Sequence, residues 1–262
     1  MTIADSALID ALELVPSPPV NLRDLGGTPV AGGVIRPGFA IRADDLSYVT
    51  DDVAAQLVQA GLTSVIDLRS AVETRLTGRG PLADHAVTYH HVSLLADLAG
   101  AVSGDALVSG DYRDTYAPMY VAMFEGAAPL IVNALAIMAT APGTVAFHCA
   151  AGKDRTGVLA ASLLLALGAD DDAIVDDYAR TGPHLDAIMA RTRAVVGPMM
   201  RAMGVSIDPA ALAAGERGFS ADAMHGALEQ LRARHGGDAL APVRRAGLSD
   251  GLVDALRARA LA

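Results

Sequence analysis

The sequence predicts an α/β fold, a central and largely parallel sheet flanked by helices. Three observations predict it. Short apolar runs rich in β-branched residues, at 63–69, 86–94 and 144–148, alternate with stretches of helical periodicity, the order that builds parallel βαβ units. Cap residues and glycines punctuate the alternation. Hydrophobic residues make up 52% of the 262 positions, enough for one large core. A single domain over 1–262 is therefore expected. With aromatics at 4% and no Trp, that core is built of Ala, Leu and Val.

The elements follow in order. VIRPGFAIRA (34–43) reads as a hairpin or a pair of short strands around Pro37-Gly38. Thr50 stands where it can cap a helix, with Asp51 and Asp52 in the first turn, Val53, Leu57 and Ala60 on one face, and Gly61 closing it. TSVIDLR (63–69) is a buried strand, and SAVE (70–73) fits a capping box that opens a short helix. AVTYHHVSL (86–94) is a further strand. Helices are expected over 111–125 and 127–140, with Pro142-Gly143 turning into a central strand at 144–148. A helix then runs from about Arg155 to Leu167, closed by Gly168, and Asp170 starts another through Tyr178. Apolar residues from Leu185 to Met203 recur at near-helical spacing, broken at Gly197-Pro198. This pair of half-helices reads either as core or as a Met-lined flap over 183–218. C-terminal helices fill 220–262.

Charge and composition exclude several roles. A net charge of −10 argues against a nucleic-acid partner, whose binder carries a basic footprint. Arg232/Arg234 and Arg244/Arg245 fall near expected helix ends, where cations suit the dipole. One cysteine excludes an internal disulfide framework and a cysteine-based zinc site. The first fourteen residues carry Asp5, Asp10 and Glu13 and no Lys or Arg, unlike a secretory signal. Residues 126–147 lack charge, yet Pro129, Asn133 and Pro142-Gly143 interrupt them, so no stable membrane insertion is expected. The reading is a soluble, cytoplasmic protein, with oligomeric state left open.

The single cysteine lies in HCAAGKDRTG (148–157). Five residues separate Cys149 from Arg155, with Gly152 between them and a helix opening at the arginine. A loop of that length can wrap a tetrahedral anion: the N–H groups of Ala150, Ala151, Gly152, Lys153 and Asp154 face its oxygens, and the helix adds its positive end. Arg155 holds two oxygens with its planar fork. The same field favours the thiolate that attacks phosphorus. His148 orients the loop, and Thr156 can hydrogen-bond the sulfur as it leaves. A lone cysteine closing a strand is often only a small core residue, but such a residue would not need Gly, Arg and Thr-Gly at this spacing. A nucleotide-binding loop fails too, because Phe147 stands where its first glycine belongs and Asp154 where Ser or Thr must follow the lysine.

HC-x5-R-T-G is the signature of the cysteine-dependent protein tyrosine phosphatases, and HCAAGKDRTG resembles a bacterial branch of that family. NLRDLGG (21–27), VIDLRSAVE (65–73), DDYART (176–181) and the two C-terminal stretches ALEQLRARHGG (227–237) and AGLSDGLVDALR (246–257) resemble further segments of the same branch. The resemblance implies the phosphatase fold and hydrolysis of phosphate monoesters through a phosphocysteine, without metal or organic cofactor. Many members place the general acid in a Trp-Pro-Asp triplet, which a chain without Trp cannot contain. Two candidates remain. Asp154 matches an aspartate that this branch carries inside the loop. Asp67 would face the loop together with Arg69 if strands 64–68 and 144–148 run parallel, since their carboxyl ends then share the site edge; an ion pair between the two is the plainer alternative. Asp24 is read as turn-forming or as a second contact to the loop.

Lys153 puts a second cation in the loop. It suits substrates with more than one phosphate, as in lipid phosphatases of the superfamily, or simply offsets Asp154. Phosphorylated proteins and phosphoinositides are thus the expected substrates. A non-catalytic phosphate-binding module is the rival from another class, and it would require that neither aspartate be placed to move a proton.

Overall fold

In the computed structural model of the chain, which describes residues 15–94, 112–202 and 219–261, five strands form one sheet. In chain order they are β1 (Arg23–Asp24), β4 (Ala40–Ala43), β5 (Leu62–Asp67), β6 (Thr88–His91) and β7 (Thr144–His148), arranged β1-β4-β7-β5-β6. β4, β7, β5 and β6 run parallel, and β1 closes one edge antiparallel. The register sets Ala43, His148, Asp67 and His91 in one row across the carboxyl ends of the parallel strands. The switch to helices at that edge is where α/β sites form.

Helices cover both faces. α1 (Asp51–Gln59) lies on one side, with Ala54 and Leu57 packed among Leu46, Val49, Leu62, Val65 and Ala146. On the other, Val145 and Phe147 join α3 (Tyr112–Gly126), α4 (Ala128–Thr140), α5 (Asp154–Leu167) and α8 (Asp222–Arg234). The alternation of Val145, Ala146 and Phe147 between the two cores is the period-two pattern of a strand buried on both faces. α5 is buried nearly all round, and Gly168 ends it in the left-handed region at φ 81°. α2 (Ala71–Thr77), α6 (Asp171–Ala179), α7 (Leu185–Ala202), α9 (Ala241–Arg245) and α10 (Asp250–Ala260) complete the described helices of regular α type. Arg232 and Arg234 sit in the last turn of α8, and Arg244 and Arg245 in that of α9. Among the described residues, no single helix is long and apolar enough to cross a membrane.

Of three local expectations, one is narrowed and two are corrected. Of the two readings of the 34–43 stretch, the pair of short strands on either side of Pro37-Gly38 is the one present, and the hairpin is not. β3 (Gly33–Val34) pairs with β2 (Pro29–Val30), whereas β4 joins the main sheet. The reason is Asp24, whose carboxylate accepts from Gly26 N at 2.7 Å and Gly38 N at 2.6 Å and ties the turn at Pro37-Gly38 to β1. Thr50 occupies the N-cap position of α1, but its side chain makes no cap bond. α7 runs through Gly197-Pro198 without a break. Proline costs one backbone bond there, and the turns on either side carry the helix across. Its first turns pack against the body: Ile188, Thr192 and Val195 are buried, and Arg191 donates to Asp44 Oδ2 at 2.6 Å and Asp45 O at 2.8 Å. Residues 203–218 of the expected flap lie outside the described residues.

Candidate active site

β7 is central in the sheet, so its carboxyl end delivers Cys149 to the middle of the row formed by Ala43, His148 and Asp67. The loop that follows is held from behind. Ala150 O accepts from Asp45 N at 3.1 Å. Ala151 O accepts from Asn21 Nδ2 at 3.2 Å, and Gly152 O from Asn21 Nδ2 at 3.2 Å and Arg42 Nη2 at 2.8 Å. Lys153 O accepts from Gly157 N at 2.8 Å. No peptide here is cis, and in a trans peptide the N–H points opposite to the carbonyl of its plane. Carbonyls tied to the body therefore turn the N–H groups of Ala151, Gly152, Lys153 and Asp154 the other way. Successive N–H groups so turned make an anion-binding concavity, at the N-terminus of α5.

Gly152 is required at its position. Its φ is +66°, and a Cβ would lie 2.6 Å from Ala43 O and 2.7 Å from Asp44 N, both backbone atoms of the neighbouring strand end. Gly152→Ala is expected to lower stability by about 1–3 kcal/mol as an overpacked site. Phosphate binding should weaken at least roughly tenfold, from the loss of one charge-assisted hydrogen bond. Thermal melting and calorimetric titration of phosphate check both.

Cys149 is 2% exposed, and Thr156 Oγ1 donates to its sulfur at 3.2 Å. Arg155 leaves the loop in the first turn of α5. Its Nη1 donates to Glu73 Oε2 at 2.7 Å and its Nη2 to Glu73 Oε1 at 2.9 Å. This end-on pairing uses one N–H of each terminal nitrogen. The side edge, Nε with the second N–H of Nη2, is the edge suited to two oxygens of an anion. Glu73 is itself fixed by the capping box of α2. Glu73 N donates to Ser70 Oγ, and Glu73 Oε2 accepts from Ser70 N at 2.7 Å. Burial alone would raise the Glu73 carboxyl, but Arg155 outweighs it and the net shift is downward.

Asp154 begins α5 with its side chain 27% exposed. Its Oδ1 accepts from the Tyr120 hydroxyl at 2.5 Å and lies 3.5 Å from Lys153 Nζ. Lys153 in turn stands 4.6 Å from the centre of the Tyr116 ring. The second cation of the loop is thereby turned onto its neighbours.

Asp67 and Arg69 lie one layer back. The Arg69 guanidinium donates to both Asp67 oxygens and also to Asp45 Oδ2, Ser47 Oγ, Thr77 Oγ1 and Gly78 O. Asp67 accepts the Tyr89 hydroxyl as well, at 2.8 Å. Burial pushes its carboxyl up. His148 at 3.8 Å and the Arg69 guanidinium more than reverse this, and the carboxyl lies well below its usual range. Burial also pushes the His148 imidazole below its ordinary value, toward the neutral form, so the guanidinium is the lasting partner of Asp67. His148 bridges this cluster to the loop. Of the two readings of Asp67 and Arg69, the ion pair is the one present, with Arg69 Nη2 at 2.6 Å from Asp67 Oδ2, and the Arg69 guanidinium is directed into the body and not onto the loop. Asp24, as described, serves two turns, and the contacts from its segment to the loop come from Asn21.

The sequence alone assigns no part in the site to Asn21, Arg42, Glu73, Tyr120 or Asp177. Arg42, fully buried, pairs with Asp177 Oδ2 as well as Gly152 O. Arg23 completes the cluster, donating to Asp177 Oδ1 at 3.0 Å and to Asn21 Oδ1 at 2.5 Å. Arg42 interrupts the otherwise apolar run Ala40–Ala43, a signal too slight to separate it from an ordinary surface charge. Glu73 was legible only as a cap.

Comparison with known proteins agrees with this geometry. The description of the tyrosine phosphatase family matches residues 17–262. The chain is 30% identical over 195 residues to the triple specificity protein phosphatase PtpB of Mycobacterium tuberculosis, covering 65% of this chain and 70% of that one. It is 36% identical over 166 residues to a candidate tyrosine-protein phosphatase of Cupriavidus necator, covering 60% and 59%. A tyrosine-protein phosphatase of Nostoc commune is 30% identical over 151 residues, covering 56% of this chain and 49% of its own.

Proposed function

The chain belongs to the tyrosine phosphatase family, and from that premise we propose that it hydrolyses phosphotyrosine in proteins through a phosphocysteine, with phosphoserine and phosphothreonine as further substrates. The observation that carries the proposal is the loop itself, whose four inward-tied carbonyls turn its N–H groups around Cys149. In the first step Cys149 attacks phosphorus in line, Arg155 and the loop N–H groups gather the charge on the equatorial oxygens, and Asp154 protonates the leaving oxygen. In the second, water displaces the sulfur, whose charge the Thr156 hydroxyl steadies. Asp67 supports the loop through His148 and does not transfer the proton, because it is buried under Arg69 and held ionised.

The engagement of Lys153 with Tyr116 and Asp154 favours a single phosphate over a phosphoinositide with several. Cytoplasmic placement is part of the same proposal.

Leaving groups separate the two aspartates. Asp154→Asn should slow phosphotyrosine and alkyl phosphates by about 10²–10⁴-fold, the usual contribution of a placed acid. It should spare p-nitrophenyl phosphate, whose leaving group departs as an anion. Asp67→Asn should lower all of them alike. The reverse pattern would transfer the role to Asp67. A panel of phosphotyrosine, phosphothreonine and phosphoinositide substrates tests the class.

A further inference from the structure

Behind Asp154 stands a pair of buried tyrosines that nothing in the chemistry above uses. Tyr120, in the middle of α3, and Tyr178, in α6, are both essentially inaccessible. Their hydroxyls are 2.5 Å apart, and Tyr120 donates to Asp154 Oδ1. An ionised carboxylate only accepts hydrogen bonds. The chain is thereby given one direction: Tyr178 donates to Tyr120, and Tyr120 to Asp154. The rings meet edge to face at 5.8 Å, Tyr116 lies 6.2 Å from Tyr120, and Phe219 stacks on Tyr178 at 5.1 Å. The glycine of the Arg-Thr-Gly ending belongs to this assembly. A Cβ on Gly157 would stand 3.1 Å from Tyr178 Cδ2, tighter than the ring tolerates without shifting. Among the contacts of Asp154, both Tyr120 and Lys153 fall on Oδ1.

We propose that Tyr120, backed by Tyr178, is the positioning residue of the general acid: it fixes Oδ1 so that Oδ2 carries the proton toward the leaving group. The proposal rests on Asp154 being the acid. As the Cys149 sulfur forms its bond to phosphorus, the bond from phosphorus to the ester oxygen breaks. That oxygen keeps the electron pair and takes the proton from Oδ2. Negative charge then appears on the Asp154 carboxylate, and the Tyr120 hydrogen bond becomes charge-assisted, roughly twice as strong as a neutral one. An interaction that strengthens as charge develops lowers the barrier itself and not merely the energy of binding. In the second step the carboxylate, still held through Oδ1, takes a proton from the attacking water as oxygen bonds to phosphorus and the sulfur departs as thiolate.

Tyr120→Phe keeps the ring and its aromatic contacts and removes the hydroxyl. It should lower kcat on phosphotyrosine and alkyl phosphates about tenfold, the worth of one charge-assisted bond, with little change on p-nitrophenyl phosphate. Inhibition by tungstate should be unaltered, since the loop and Arg155 are untouched. In an Asp154→Asn background the same change should add nothing. An equal loss across leaving groups, or a further loss in the Asp154→Asn background, would overturn the positioning role while leaving the acid in place. An Asp154→Asn enzyme without leaving-group dependence would instead overturn the acid assignment and this proposal with it. Near-UV circular dichroism reports the fold of each variant. Should Tyr120→Phe not fold, Tyr178→Phe, which removes only the donor behind Tyr120, must show a smaller loss with the same leaving-group dependence, and its absence would refute the relay.

Discussion

Cys149→Ser abolishes turnover and still binds tungstate: this is the largest change the site leads us to expect. The nucleophile alone is lost. The loop's shape is set by Asn21, Arg42, Asp45 and Gly157 acting on its carbonyls, and none of these touches the sulfur. Arg155 keeps its pairing with Glu73. A serine hydroxyl at the same point is a far weaker nucleophile, because an alcohol is a much weaker acid than a thiol and the field that favours a thiolate does not ionise it. Loss of a nucleophile costs on the order of 10³-fold or more. Steady-state rates with phosphotyrosine and titration of tungstate measure the two halves. A variant retaining a tenth of the activity would rule out covalent catalysis through this residue.

The largest effect on stability is expected at Asp177. Its carboxylate pairs with the fully buried Arg42 and with Arg23. Asp177→Ala leaves two desolvated guanidinium groups facing each other without an anion. Breaking a buried pair from one side costs about 3–5 kcal/mol, which for a chain of this size is a fall in Tm of roughly 10 °C or more. Arg42 also holds Gly152 O, so turnover should fall along with stability. The pH dependence has a definite sign. Burial raises the Asp177 carboxyl, but the two arginines outweigh it and hold it below its ordinary value. A group depressed on folding contributes its stability above the unfolded value and loses it as pH falls below. The gap in Tm between wild type and variant should therefore be full near neutrality and close as pH drops below about 4. A gap independent of pH would show that packing, not charge, is what Asp177 supplies.

Much of this could be read beforehand, and the boundary has physical causes. β7, the loop and α5 were legible because their signals are local: an apolar β-branched run, a fixed spacing of Cys, Gly and Arg, and a closing glycine. The capping box was legible at Ser70 and Glu73 for the same reason. Its second use was not, since the arginine that Glu73 holds is 82 positions away. Arg42 and Asp177 are separated by 135 positions, and each alone reads as an ordinary surface charge. Tyr120 sits among apolar residues at helical spacing and so reads as core; only its hydroxyl, which sequence cannot aim, gives it a role. Gly197-Pro198 shows the opposite failing. A strong local signal for a break was overridden by the helix around it.

The long reach of the loop's supports bears on how the protein becomes active. The hydrogen bonds and ion pairs that shape the loop span 110, 130, 131 and 154 positions. Closing segments of that length is entropically unfavourable before the bonds exist to offset it. The hydrogen bonds within a helix such as α5 close over only four residues, but the anion cradle needs β1, β4 and α6 brought together. Competence is consequently among the last properties a refolding chain acquires. A chain emerging from the ribosome carries its cysteine well before it carries Asp177, and in that interval the thiol lacks the framework that directs its reactivity. Far-ultraviolet signal should recover ahead of phosphate binding, and the lag between them is the time the sheet takes to close.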